Sequence, residues 1–199
     1  MLATDWSLAM IDAVRAEALP NLDARVMDGQ RLNLPDASFD PAFSLFGIML
    51  FPNWRKGLAE LVRVIRPGGL GCVGSWQHPA GAAANLLLAQ HVAKLYPGFP
   101  VPTVADGPEN LYNSERFIRA LTHAGLVNVV MHEVIQDYLL DPADLAQPDR
   151  LFQFSALWRS IDGIMREQVI QSIETAVSQE PVTLAVRSPA WIAIGHRET

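Results

Sequence analysis

A single cysteine in 199 residues, Cys72, excludes an intrachain disulfide and any zinc site built from several thiolates. Positive charge is also short. Fifteen Lys and Arg against 21 Asp and Glu give a formal charge of -6, with no Lys/Arg cluster on any segment. A nucleic-acid backbone or an anionic membrane surface is therefore a poor electrostatic partner. No apolar run approaches the ~18 residues of a membrane span, and no basic flank precedes an apolar stretch at the start, so neither a span nor a secretory signal is read. With so little cysteine, the expected setting is reducing and cytoplasmic. The five histidines, His78, His91, His123, His132 and His196, have no spacing suited to a shared metal ion.

A phosphate-binding glycine turn is missing as well. The one G-x-G-x-x-G match, Gly69 to Gly74 in GLGCVG, follows a helical pattern and lies within a strand pattern. A dinucleotide fingerprint needs strand first and helix second, so these glycines are read as turn and packing residues.

What is present is apolar and alternating. Half the residues are apolar, enough for one domain over residues 1–199 that buries roughly 70% of its unfolded surface. The opening MLATDWSLAM reads as a strand ending at Asp5, then a helix capped by Ser7 with Leu8, Ile11, Val14 and Ala18 on one face. Ala24 to Met27 is a short strand before Asp28-Gly29, and PAFSLFGIML has buried-strand character. Trp54, Leu58, Leu61, Val62 and Ile65 mark an amphipathic helix stopped by RPGG. GLGCVGSW is the next strand, and Ala80 to Leu95 the next helix. Ser114 caps a helix that buries Phe117, Ile118, Leu121 and Ala124. LVNVVMHEV follows as a strand, Ile161 to Ala176 forms a helical stripe, and VTLAVRSPAWIAIGHR reads as two strands around Ser188-Pro189, antiparallel to the rest. This alternation implies an α/β fold with a largely parallel sheet.

Acids at the ends of parallel strands are the informative positions, because ligands of open α/β sheets bind there. Asp5 can accept both hydroxyls of a ribose; its other reading is a helix-dipole acid beside Ser7. Trp6 can stack on a base or pack. Asp28 can accept from an exocyclic amine, and its other reading is a turn residue before Gly29. His78, in SWQHP after a strand, is a candidate proton acceptor, or simply a turn residue before Pro79. Tyr112, Asn113, Phe152, Phe154 and Trp158 are candidate cavity aromatics and neighbours, with core packing as the alternative.

The order ATDWSLAM, ARVMDGQRLNLPDASFD, SLFGIMLFPN, LAELVRVIRPGG, LTHAGLVNVV and SPAWIAIG resembles the class I S-adenosylmethionine-dependent methyltransferases, in particular the branch similar to quinone-biosynthesis methyltransferases. The resemblance implies a Rossmann-like sheet with flanking helices and an antiparallel terminal strand. It is weak at about 77–112 and 136–160, where such families vary their substrate excursions. It implies S-adenosylmethionine as cofactor, with Asp5 at the ribose diol, Trp6 beside the adenine and Met27 with Asp28 around the adenine amine. Ser44, Leu45 and Phe46 would lie beside the methionyl part. It also implies methyl transfer to a small organic acceptor, with no nucleic acid and no membrane as partner.

In that family the acid-bearing strand is the second one, after a first strand and a Gly-rich turn that this chain does not show. The sequence is therefore expected to be either an N-terminally shortened version of a longer protein or a natural variant lacking half the cofactor site, with two exposed sheet edges and a tendency to pair as a homodimer or aggregate. A non-catalytic interaction protein with an incomplete cofactor site is the alternative function, and a nicotinamide-dependent reductase using Asp5 is a third.

Overall fold

The computed structural model describes residues 1–102, 111–153, 155–179 and 184–199. The first unit is strand, helix, strand: β1 (Leu2–Asp5), α1 (Leu8–Ala16) and β2 (Asp23–Val26), with β1 and β2 parallel. The second sheet contains β3 (Phe39–Leu45), β4 (Ile65–Trp76), β5 (Leu126–Leu140) and β6 (Leu184–Arg197) in the order β3-β4-β6-β5. β3 and β4 are parallel, and β6 runs antiparallel to both β4 and β5. The α/β class and the antiparallel last strand thus agree with the sequence pattern.

Local chemistry sets the helix ends. Ser7 Oγ accepts from the Met10 amide at the start of α1, and Asn53 accepts from Lys56 at the start of α2 (Trp54–Val64). α3 spans Ala83–Leu95. The cap of α4 (Ser114–His123) is Asn113 rather than Ser114, its side chain accepting from the Arg116 amide at 3.0 Å. An amide oxygen satisfies the orphan donors as well as a hydroxyl does, which moves the boundary by one residue. Two short helices, α5 (Pro148–Leu151) and α6 (Ala156–Ser160), lead to α7 (Gly163–Ser178), which buries Val169, Ile173 and Val177. Among the described residues, no helix is long and apolar enough to cross a membrane.

Two sequence boundaries shift for physical reasons. The segment around Ser188-Pro189 is one continuous strand rather than two. Pro189 pairs with Ile135 of β5, and on the other side its carbonyl accepts from the Gln77 amide just past the end of β4, so the missing proline N–H falls at the margin of that ladder. RPGG does not precede β4 but bulges within it: the register passes from Phe39↔Ile65 to Pro41↔Leu70. Gly68 takes φ +77° there, and a Cβ on Gly69 would stand 2.5 Å from the Asp40 carbonyl oxygen and 2.9 Å from that of Arg66. Both neighbours are backbone and cannot swing aside. Gly69→Ala is expected to lower the unfolding free energy by about 1–3 kcal/mol, read as a lower denaturant midpoint at unchanged slope.

Buried side chains form two clusters. One joins α2, α4 and the sheet through Leu58, Phe117, Leu121, Val73 and Ala193. The other joins α3 and α7 through Leu88, Val92, Val169 and Ile173 and takes in Phe152 and Trp158, whose rings lie 5.1 Å apart. Those two aromatics therefore belong to the core instead of lining a cavity; Phe154 lies outside the described residues.

The two sheets are not hydrogen-bonded to each other among the described residues, and they are tied together through the loop after β2. The Phe51 ring fills the space over Gly29 and Gly57, where an added Cβ would come within 2.5 and 2.4 Å of it. Among the described residues, β1 pairs only with β2, and β3 only with β4. Each therefore keeps one unpaired edge. Phe43 and Leu45 of β3 are 62% and 55% exposed.

Candidate functional site

The carboxyl ends of β1, β2, β3 and β4 carry the candidate residues. At the end of β1, Asp5 is half-buried. Its Oδ1 accepts from the Ser7 amide at 2.8 Å, a turn that starts α1, and its Oδ2 has no hydrogen bond among the described residues. One carboxylate oxygen thus shapes the backbone while the other is available to a ligand hydroxyl. Trp6 is 83% exposed, its ring face open.

At the end of β2, Met27 is half-buried, its amide donating to the Asp5 carbonyl at 2.9 Å. That bond ties the two strand ends together. Asp28 Oδ1 accepts from both the backbone amide and the side-chain amide of Gln30, at 2.8 and 3.1 Å. These bonds, the backbone one foremost, hold its carboxyl below the usual range. Gln30 Oε1 in turn accepts from the Asn53 amide at 2.8 Å, so the turn is fastened to the start of α2. Asp28 is both the turn residue and an ionised acceptor at the strand end.

At the end of β3, Ser44 Oγ accepts from the Ile48 amide at 3.2 Å and starts a short 3-10 turn, Ile48–Leu50. Phe46 has φ +62°, the left-handed region that a non-glycine residue enters at a cost of about 1–3 kcal/mol. Its amide donates to the Gly74 carbonyl, and its ring stacks on Trp76 at 3.9 Å and 13°. The strain is balanced by that stack. Strained backbone at a strand end next to paired acids is a pattern typical of ligand sites.

Beyond β4, Gln77 Nε2 donates to Glu133 Oε1 at 2.9 Å and the Ala83 amide donates to Ser188 Oγ at 2.9 Å, which fixes residues 77–83 over the sheet. In that segment the Ala80 amide donates to His78 Nδ1 at 3.0 Å. A nitrogen that accepts from an amide carries no proton, so the neutral ring has its hydrogen on Nε2. Burial also holds the His78 pKa below the ordinary value. His78 is therefore built to donate, and its lone pair is already engaged.

His91, on α3, is buried, and its Nδ1 lies 2.9 Å from Ser172 Oγ of α7. Burial, and secondarily the Lys94 charge, hold its pKa down too. The folded state thus takes up a proton at His78 and His91 less readily than the unfolded chain. The stability these groups contribute is complete above the unfolded value of about 6.5 and is lost as pH falls below it. Unfolding free energy is expected to fall between about pH 7 and 5, with a smaller slope in His91→Gln, as read by denaturant titrations across that range.

Of the sequence candidates, Asp5, Trp6, Met27, Asp28, Ser44, Phe46 and His78 all occupy strand ends or the loops directly after them. Asn113 and Tyr112 do something else: Asn113 caps α4, and the Tyr112 carbonyl accepts from Trp191 Nε1 at 2.8 Å. Sequence reasoning missed Trp76, whose partner Phe46 lies thirty positions away. No local pattern announces a stack of that range. Among the described residues, no group of three or more His, Cys, Asp or Glu could hold a metal ion.

Comparison with known proteins bears on the same elements. Residues 1–73 match the methyltransferase-domain family. A demethylmenaquinone methyltransferase of Mycobacterium sp. (strain KMS) is 31% identical over 119 residues, 60% of this chain and 50% of that protein. The corresponding enzyme of Deinococcus radiodurans is 36% identical over 98 residues, 46% of this chain and 41% of that protein. The chain thus spans about half the length of the curated relatives it matches. Among solved structures, a Bacillus halodurans protein superposes with TM-score 0.59 at 14% identity, covering all of this chain and 83% of the other. Haemonchus contortus phosphoethanolamine N-methyltransferase 2, solved with S-adenosyl-L-methionine, superposes at 0.52 with 14% identity, covering all of this chain and 43% of the other. The [4+2]-cyclase SpnF gives 0.53 at 14% identity over all of this chain and 67% of its own.

Proposed function

From the premise that the chain has the class I S-adenosylmethionine-dependent methyltransferase fold, we propose that it binds S-adenosylmethionine along the carboxyl ends of β1 to β4 and serves methyl transfer to a small organic acceptor. The observation that carries the reading is the pair of acids on adjacent parallel strand ends, joined by the Met27 to Asp5 backbone bond, with Asp5 Oδ2 unengaged. Those residues fit the group. A carboxylate with one oxygen open suits a diol, an ionised Asp28 suits an exocyclic amine, and the exposed face of Trp6 suits a purine. The bound cofactor supplies an already activated methyl group.

What this chain's residues then contribute is placement. Proximity and orientation reach about 7–11 kcal/mol in well-aligned systems, so no nucleophilic side chain is required. The Phe46–Trp76 stack forms an apolar wall at the ends of β3 and β4, and His78 Nε2–H offers a hydrogen bond to an acceptor oxygen. His78 acts as a positioning donor in this reading. Proton removal, where the acceptor needs it, falls to the acceptor itself or to solvent.

A second reading, a non-catalytic interaction protein, draws on the two unpaired strand edges and the exposed Phe43 and Leu45. The same edges favour a homodimer, whose mass light scattering reads directly. S-adenosylhomocysteine is expected to raise the thermal midpoint of this chain with increasing concentration while NADH does not. Equal shifts from both, or a shift from NADH alone, would replace the methyltransferase reading with the nucleotide-reductase one.

A further inference from the structure

Away from the strand ends, α3 and α7 border a cavity of about 450 Å3 lined by Leu95, Tyr96, Gln168, Gln171, Ser172 and Thr175. Its four α7 residues recur at i, i+3, i+4 and i+7, so they share one helix face. None of the lining side chains carries a charge. Ser172 is half-buried there, and behind it stands His91 of α3, 8% exposed. Packing of Leu88 and Val92 with Val169 and Ile173 holds the two helices together and the pair in place. A buried imidazole costs free energy unless its nitrogens are engaged, and the proposed methyl transfer does not involve it.

The serine hydroxyl is aimed at that imidazole. Thr175 and Ser178 of α7 turn their hydroxyls back to the carbonyls of Gln171 and Thr175, at 2.7 and 2.8 Å. Ser172 makes no such bond among the described residues, and its Oγ lies 2.9 Å from His91 Nδ1. Burial keeps the ring neutral at pH 7, and with its proton on Nε2 the Nδ1 lone pair accepts from the hydroxyl. A nucleophile facing a cavity with a base behind it, within hydrogen-bond reach, is the arrangement acyl transfer requires. Tyr96 Oη donates to Gln168 Oε1, which leaves the Gln168 amide nitrogen as a donor beside that of Gln171. We propose that Ser172 and His91 form a second catalytic site, which hydrolyses small uncharged carboxylic esters. Ser172 Oγ bonds to the ester carbonyl carbon while its proton passes to His91 Nδ1. The bond from that carbon to the alcohol oxygen then breaks, and the alcohol leaves with the proton. Water repeats the sequence on the acyl-serine, releasing the carboxylic acid and restoring the hydroxyl. The Gln168 and Gln171 amides donate to the carbonyl oxygen as it gains charge, and Leu95 and Tyr96 flank the apolar part of the ester.

The test uses p-nitrophenyl acetate as the ester, with peptide masses after an acid quench locating the acetyl group. The expected result is a burst of about one p-nitrophenolate per chain, then slower turnover, with the acetyl group on Ser172. Ser172→Ala and His91→Gln are each expected to slow the burst at least about a hundredfold. Ser178→Ala, which removes a hydroxyl bonded to its own helix, is expected to leave it as it was. Acetyl found only on other side chains, a burst that survives Ser172→Ala, or unchanged acetylation of Ser172 in a folded His91→Gln chain would overturn the proposal. Should either variant unfold, the wild-type chain decides by itself: acetyl on Ser172 after the burst supports the site, and its absence there refutes it.

Discussion

Arg63→Ala is expected to lower the unfolding free energy by about 3 kcal/mol, the largest loss from any single side chain outside the apolar core. Its guanidinium grips Glu60 with two bonds of 2.8 Å, Nε to Oε1 and Nη2 to Oε2. It also donates to Asp36 Oδ1 at 2.6 Å and to the carbonyls of Leu34 and Leu32 at 2.8 and 3.0 Å. Glu60 Oε2 accepts from the Leu32 amide at 2.7 Å, so both partners hold the same loop. The Arg63 carbonyl itself accepts from Ala37 and from Arg197 of β6.

Removing the guanidinium leaves Glu60, with its side chain 17% exposed, without its main counter-charge and releases residues 32–38, the link between the two sheets. The Arg63 bonds, first among the causes, hold the Glu60 pKa below its ordinary value. A depressed acid contributes stability above its unfolded value of about 4.3 and loses it as pH falls through the folded one. The wild type is therefore expected to soften below about pH 4, and Arg63→Ala to soften less, since Asp28 and the Leu32 bond to Glu60 remain. Arg63→Lys keeps the charge but not the planar fork, and should restore less than half the loss. Denaturant titrations of the three chains at pH 7 and at about pH 3 check the whole set; a loss under 1 kcal/mol for Arg63→Ala at pH 7 would contradict it.

Asp5→Ala is expected to weaken S-adenosylhomocysteine binding by about a hundredfold or more, because two charge-assisted bonds at about 1.5–3 kcal/mol each are lost together. The same change removes the acceptor for the Ser7 amide, which risks loosening the start of α1. Asp5→Asn separates the two effects. Its side-chain oxygen still takes the Ser7 bond, but the neutral amide is the weaker partner for a diol, so binding should fall while the thermal midpoint holds.

Which segments are strands was legible wherever local pattern and tertiary need agree. The continuous apolar runs around Val73 and Ile192 read as strands because both faces of the sheet are covered, and Ser7 starts α1 by backbone chemistry alone, while the helix stops at Ala16, ahead of Pro20. Continuity of β6 through Pro189 was not legible, since whether a missing N–H matters depends on which strand lies alongside. The RPGG bulge was hidden for the same reason: a helix stop and a bulge use the same residues.

At the site, Asp5 and Asp28 were readable because an acid after a strand is a one-dimensional pattern. Phe46 was readable only as a strand-end position, not as a strained residue held by Trp76. The role of His78 turned on one amide contact, Ala80 to Nδ1, that spacing does not encode. The pairing of His91 with Ser172 was invisible from sequence, since the two stand 81 positions apart in the chain.

The measurement that bears most directly on the central claim is a calorimetric titration of this 199-residue chain with S-adenosylhomocysteine, run beside Asp5→Ala and Asp5→Asn. The account predicts saturable one-to-one binding in the micromolar range, lost in the alanine variant and strongly reduced in the asparagine one. A well-folded sample that gives no binding heat, or one that binds equally well with and without the Asp5 carboxylate, would contradict it.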